Sequence, residues 1–178
     1  MEHLLLLVTI LLPLVGALFI ALVLPREDKA GVRSASMVIS LLTFVASLPL
    51  FCLFDPEGPV YQFNAKWDWL TAFGASFSLG LDGISRLLTI LPPFLVPVSL
   101  AASTRAITDR VKAFHLAILV LEAAIIGVFA AQDLLLFFLF WEVELIPMYM
   151  LISIWGSGRK EYSATKFVIY TLFGKIGR

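Results

Sequence analysis

One stretch limits what this chain can fold into more than any other: a membrane-length apolar run that carries two acids. The run is Ala131–Trp155, and Glu142 and Glu144 lie near its middle. A charged side chain at bilayer depth costs about 2.5–3.5 kcal/mol on insertion scales, so intramembrane acids usually face the protein interior and serve a function. The stretch therefore predicts a transmembrane helix holding a proton-accepting glutamate, which the rest of the chain packs and orients.

The composition is that of a membrane protein. Of the 178 residues, 60% are hydrophobic and 15% are charged, whereas soluble domains average about 45–50% and about 25%. The formal net charge is zero, so no long-range field recruits nucleic acid. We therefore expect the lipid bilayer as a partner and no nucleic acid.

Hydropathy divides the chain into spans. A helix needs about 20 mostly apolar residues to cross the hydrocarbon core. Five segments meet this requirement and a sixth begins near the end: residues 4–24, 35–54, 79–103, 113–131, 133–155 and, incompletely, 162–178. The expected fold is all-α, a polytopic membrane helix bundle with five full spans plus the start of a sixth, in one transmembrane region over residues 1–178. We expect the first span to be retained, because it lacks the basic start and cleavage site of a signal peptide.

The segment between the second and third spans is too interrupted by proline and glycine to cross a membrane. Alternating side chains in Tyr61–Trp69 are compatible with a short hairpin. The third span contains Pro92, Pro93 and Pro97. Prolines free backbone carbonyls that neighbouring helices must satisfy, so this span is expected to be bent and buried among the others.

Basic residues in the connections predict the orientation. Loops one, three and five are basic, with Arg26, Lys29 and Arg33, then Arg105, Arg110 and Lys112, then Arg159 and Lys160. Loop two contains only Lys66, and loop four contains no basic residue. Because basic loops remain on the cytoplasmic side, loops one, three and five should be cytoplasmic, and the N-terminus should lie on the opposite side.

Spans four and five should form a tight antiparallel pair, because only Gln132 and Asp133 separate them. Asp133 is expected to cap the fifth helix. Glu122 lies about 10 residues before this turn and Glu142 about 10 after it, so each should be about 15 Å deep. The sequence therefore predicts that Glu122 and Glu142 lie close together.

Four residues are candidates for the proton-transfer site, namely Glu122, Glu142, Glu144 and Lys166. Glu142 and Glu144 are about 200° apart on a helix and cannot share a face; we favour Glu142 because its depth matches Glu122. Lys166, one turn into the sixth span, either pairs with a carboxylate or extends its amine to the interface. A purely structural role as hydrogen-bonded groups remains open for all three glutamates. His115 is expected to be interfacial, with proton uptake as its alternative role.

Several motifs resemble a known family. FWEVELIPMY at residues 140–149, SIWG at 153–156, YSATKF at 162–167 and LGLDGIS at 79–85 are similar to the antiporter-like subunit 4 (chain M) of proton-pumping NADH:quinone oxidoreductases. These are respiratory complex I and its photosynthetic counterpart. The resemblance implies inverted helix repeats with broken helices, and an ion pair between Glu142 and a lysine on a seventh helix. It also implies that NAD, FMN, iron–sulfur clusters and quinone bind partner subunits, with no cofactor in this chain.

The resemblance implies a proton-translocating membrane subunit that couples quinone reduction to proton transfer through buried glutamates and lysines. The chain would then be an enzyme subunit without a redox centre, partnered by other membrane subunits. A bacterial inner membrane is the expected location, with a thylakoid or another energy-transducing membrane as the alternative. Because the sequence ends inside the sixth helix, we expect Arg178 to be a fragment end or the end of a truncated reading frame.

Other functions remain open at this point. A subunit of a multi-subunit sodium/proton antiporter or of a membrane-bound hydrogenase would share this fold. A non-transporting membrane scaffold would not need a titrating acid at Glu142. An inactive truncated fragment would fail to assemble.

Overall fold

A computed structural model describes residues 2–70 and 75–176. Within these residues the elements, in chain order, are α1 (Glu2–Val23), α2 (Lys29–Cys52), β1 (Gln62–Leu70), β2 (Ala75–Leu81), α3 (Ser85–Ala106), α4 (Val111–Ala130), α5 (Leu134–Trp155) and α6 (Lys160–Ile176). Helices α1 to α5 are long and apolar enough to cross a membrane. The predicted polytopic helix bundle is thus confirmed, and the chain is an integral membrane protein.

Four helices form the body of the bundle. Helix α1 packs against α2 and α4, and α3 packs against the same two helices. Two apolar clusters fill the interior: Ile20, Val32 and Leu119 belong to one, and Leu6 and Ile126 to the other. Helix α5 packs on the outer side of α4, and α6 packs on α5. This arrangement leaves α5 between the four-helix body and α6.

A β-hairpin covers one end of the bundle and replaces the start of the predicted third span. The hairpin expected within residues 61–69 is instead a single strand, and its antiparallel partner is β2. Leu79 and Leu81 are two residues apart on β2, so they lie on the same face of the strand, and both are fully buried. They join the cluster of Leu6 and Ile126. This packing explains why the third span begins at Ser85 and not at residue 79.

Asp82 fixes the start of α3. Its Oδ1 accepts hydrogen bonds from the backbone N–H groups of Ser85 (2.6 Å) and Ile84 (3.0 Å). The bond from Ser85 is the main reason why the pKa of Asp82 lies below its usual value. A carboxylate that satisfies free N–H groups at a helix start stabilises that start.

Asp133 caps α5, as predicted, and also ties the hairpin to it. Its carboxylate accepts from the N–H groups of Leu135 (2.8 Å), Leu136 (3.3 Å) and Ser76 (3.2 Å). These bonds, first of all the one from Ser76 in β2, hold the pKa of Asp133 below its usual value. Asp133 therefore links β2 to the start of α5 at the turn between α4 and α5.

We expect Asp133→Ala to loosen the hairpin, because Ser76 then loses its acceptor and α5 loses its cap. Limited proteolysis in proteoliposomes should cleave residues 55–84 faster than in the unsubstituted protein. Asp28→Ala is the matched control, since Asp28 caps α2 through the N–H of Gly31 at 2.8 Å and lies at the other end of the bundle. Equal cleavage of both variants would contradict the link.

Candidate functional site

Helices α5 and α6 form an open-sided cavity of about 660 Å³, and Glu142 is one of the residues that line it. Its other walls are mostly apolar, among them Leu139, Ile146, Val168 and Ile169. Glu142 is half-buried and lies near the middle of a membrane-spanning helix. The cavity thus places one acid beside mostly apolar side chains.

A second, more polar cavity of about 680 Å³ lies at the basic-loop end of the same helix pair. Asp109, Ser153, Lys160 and Glu161 are among the residues that line it. Tyr149 and Thr165 line both cavities. On α5, Tyr149 is seven residues from Glu142, so the two share a face and lie about 10.5 Å apart along the axis. The cavities therefore adjoin at two hydroxyl groups between Glu142 and the basic loops.

Hydrogen bonds fix the outer end of this polar cavity. The Trp155 indole N–H donates to the carbonyl of Asp109 at 3.0 Å, and the Lys160 amine donates to the carbonyl of Ile154 at 2.7 Å. The Trp155 ring packs edge-on against Phe114 of α4, with centroids 5.3 Å apart. These contacts hold the end of α5 against the loop between α3 and α4.

Two contacts set the register between α4 and α5. Gly127 lies directly beside the ring of Phe140, and Phe114 lies beside Trp155. The helices are therefore antiparallel, and the same register places Glu122 level with Leu145 to Pro147. That is within about 8 Å of Glu142 along the axis. The two acids lie at similar depth, as the sequence suggests.

Glu122 nevertheless faces another part of the bundle. It is fully buried, and it lies about 140° around α4 from Gly127, which faces α5. Its neighbours on the same face, Leu119 and Ile126, pack in the two apolar clusters with α1 and α2. Among the described residues, the lining of the Glu142 cavity does not include Glu122. The turn between α4 and α5 brings Glu122 and Glu142 to a similar depth. The two acids are nevertheless separated, because α4 is rotated about its axis so that Glu122 does not face α5.

The other candidates lie apart from the cavity. Glu144 is half-buried, about 200° from Glu142 on α5. Lys166 is exposed on α6, and its amine lies 5.8 Å and 5.5 Å from the ring centroids of Tyr162 and Tyr170. These rings, one turn away on either side, hold the cation along the outer face of α6.

His115 lies in the second turn of α4. Its side chain is 2% exposed, because α4 packs this face into the bundle, and its ring lies edge-on to Phe114.

Sequence reasoning did not identify Tyr149 and Thr165. The seven-residue spacing from Glu142 to Tyr149 was the available signal, since such a spacing keeps two side chains on one helix face. Thr165 carries no signal of this kind, because its position depends on how α6 packs against α5.

Comparison with known proteins identifies similar chains. Residues 131–177 match a family described as NADH:quinone oxidoreductase/Mrp antiporter, TM. NADH-quinone oxidoreductase subunit M from Rhodobacter capsulatus is 42% identical over 179 residues, which cover 99% of this chain and 34% of the relative. NAD(P)H-quinone oxidoreductase chain 4-3 from a Nostoc species is 41% identical over 94% of this chain and 30% of the relative.

The fold is also found in a solved structure. A chain of respiratory complex I from Thermus thermophilus with bound NADH aligns with a TM-score of 0.78 at 28% identity, over 95% of this chain and 33% of that chain. This chain thus spans about a third of the length of the relatives that it matches.

Proposed function

Because this chain resembles an N-terminal portion of subunit M of the NADH-quinone oxidoreductases along almost its whole length, we propose that it belongs to a proton-translocating membrane subunit. The complex would reduce quinone with electrons from NADH or another donor. One structural observation carries the proposal: Glu142 lines a mid-membrane cavity that adjoins a polar cavity at the basic-loop end.

Proton transfer would begin at the basic-loop end. The polar cavity, which Tyr149 and Thr165 help to line, would give water access to these two residues, and their hydroxyl groups can both donate and accept a hydrogen bond. Glu142 would take the proton beyond them. An opposite charge that moves toward a carboxylate lowers its proton affinity, and one that moves away raises it. Such a moving charge would couple electron transfer to proton transfer.

The redox chemistry would take place elsewhere in the complex. We infer that NAD, FMN, iron–sulfur clusters and quinone bind partner subunits, and that this chain supplies the proton path. Large apolar side chains remain exposed on α1, α2 and α3, for example Leu22, Val45 and Phe94. In a membrane these faces would contact lipid or neighbouring membrane subunits. The proposed location is a bacterial inner membrane, with the basic loops in the cytoplasm.

The proposal is tested in inverted membrane vesicles from cells that lack the protein and from cells in which it is restored. We expect NADH-driven acidification of the vesicle interior to return with the protein, without a requirement for sodium, and to be abolished by a protonophore. Acidification that does not depend on the protein would contradict the proposal. Cation uptake that requires sodium and needs no NADH would instead indicate an antiporter subunit.

A further inference from the structure

The buried face of α4 that carries Glu122 contains polar atoms that no described residue satisfies. Neither carboxylate oxygen of Glu122 has a hydrogen-bond partner, and the same is true of Nδ1 of His115. Both side chains are at most 2% exposed. Glu122 and His115 are seven residues apart, so they share one face of α4. Leaving a buried polar group without a hydrogen bond is energetically costly, so this face favours a bound molecule that can hydrogen-bond.

Neighbouring helices add polar atoms to the same interior. On α2, the Nε of Arg33 is buried without a hydrogen-bond partner among the described residues, and on α3 the same is true of the Oγ1 of Thr89. The unsatisfied atoms therefore come from three helices that pack against one another.

Helix α2 turns a row of hydroxyl groups into the bundle. Of its six buried residues, four carry a hydroxyl, namely Ser36, Ser40, Thr43 and Ser47. Each donates to a carbonyl of its own helix at 2.7–3.0 Å. A hydroxyl that donates in this way keeps its oxygen free to accept. The row can therefore accept hydrogen bonds from a mobile donor.

The row of hydroxyls reaches the depth of Glu122. Helices α2 and α4 are parallel, because each is antiparallel to α1: Thr9 donates to the carbonyl of Ala46 on α2, and Lys112 at the start of α4 donates to the carbonyl of Leu24 after α1. Because Thr9 lies opposite Ala46 on an antiparallel helix, Ala21 and Leu24 lie opposite residues 34 and 31 of α2. Lys112 donates to both carbonyls, so Glu122, ten residues later, is level with about residues 41–44 of α2. Thr43 therefore lies at the depth of Glu122, and Ser40 lies between the depths of His115 and Glu122.

We propose that water molecules bound inside α1 to α4 connect His115, at the basic-loop end, with Glu122 along the α2 hydroxyls. They would make Glu122 a second proton-binding site, separate from the Glu142 cavity. Water suits these groups because it can donate to Glu122 and His115 and accept from Arg33, and because buried water typically bridges 2–4 such polar groups. This inference rests on the proposed function for its role in proton movement, but the presence of water does not depend on that function.

Hydroxyl-radical footprinting of the intact complex in lipid nanodiscs tests for the water directly. X-rays generate radicals from bound water, and ¹⁸O-labelled water identifies water as the source of the oxygen. Leu119 and Leu50 form a matched pair, since both leucines are 0% exposed, but only Leu119 lies between His115 and Glu122. We expect Leu119 to be oxidised about tenfold faster than Leu50, because only it would adjoin bound water. Equal, slow oxidation of both would overturn the proposal.

A substitution tests the role in proton movement. Ser40→Val removes an acceptor and fills space beside the proposed water, so the NADH-driven proton-pumping rate should fall several-fold. Ser99→Val is the matched control, because Ser99 also donates to its own helix, at 2.8 Å, but is exposed. Equal pumping by both assembled variants would overturn the proposed role. If Glu142→Gln stops pumping in the same vesicles while Ser40→Val does not, the proposed role of Glu122 is overturned and the proposed function of the chain is not. If Ser40→Val does not assemble, the footprint of the unsubstituted complex decides.

Discussion

Glu142→Gln should lower the rate of NADH-driven proton pumping in inverted vesicles by at least about tenfold, which corresponds to about 1.4 kcal/mol or more in the rate-limiting barrier. Glutamine keeps the size and much of the hydrogen bonding of glutamate, but it cannot take up and release a proton. Glu142 lines the cavity between α5 and α6, and the adjoining polar cavity ends at Tyr149 and Thr165. A proton that follows this route has Glu142 as its next acceptor.

Glu144→Gln is the matched comparison for this result. Glu144 has the same side chain on the same helix and is also half-buried, but it projects about 200° away from Glu142. We expect Glu144→Gln to change pumping much less than Glu142→Gln does. Both variants must be compared at equal amounts of assembled complex. If pumping survives Glu142→Gln, or if both substitutions reduce it equally, the route through the α5–α6 cavity is wrong.

The sequence predicted the spans well because apolar length and charge placement are local properties. Long apolar runs mark α1, α2, α4 and α5. Asp133, the acid directly before α5, marks the cap of that helix. The start of α3 could not be predicted in this way. Residues 79–84 are apolar enough to extend a span, and only their pairing with β1 and packing against Leu6 and Ile126 make them a strand and a turn.

The site could be predicted only in part. An acid within a long apolar run is visible in any sequence, and it led directly to Glu142. The orientation of Glu122 was not visible, because α4 is apolar on every side: Ala117, Leu119 and Ala124, on different faces, are all buried. A helix that is apolar all round gives no pattern from which to choose a face. The same limit applies to Thr165, whose position depends on how α6 packs against α5.

Gly127→Ala should disrupt the pairing of α4 with α5. A Cβ at residue 127 would overlap Cδ1 and Cε1 of the Phe140 ring. The ring would have to move within a packed interface, which typically costs about 1–3 kcal/mol. We expect less assembled subunit in the membrane and a lower Tm of the complex. Phe140→Leu in the same chain should restore part of both, because it removes the ring atoms that the new methyl group meets.

Gly174→Ala is the matched control for this loss, because Gly174 is also a helical glycine and a Cβ there would meet no atom of the described part of the chain within 4 Å. Alanine favours a helix by up to about 1 kcal/mol over glycine, so this variant should assemble normally. A neutral Gly127→Ala would mean that α5 does not pack against α4 in the observed register. Glu122 and Glu142 would then not lie at a similar depth, because that conclusion depends on the contact between Gly127 and Phe140.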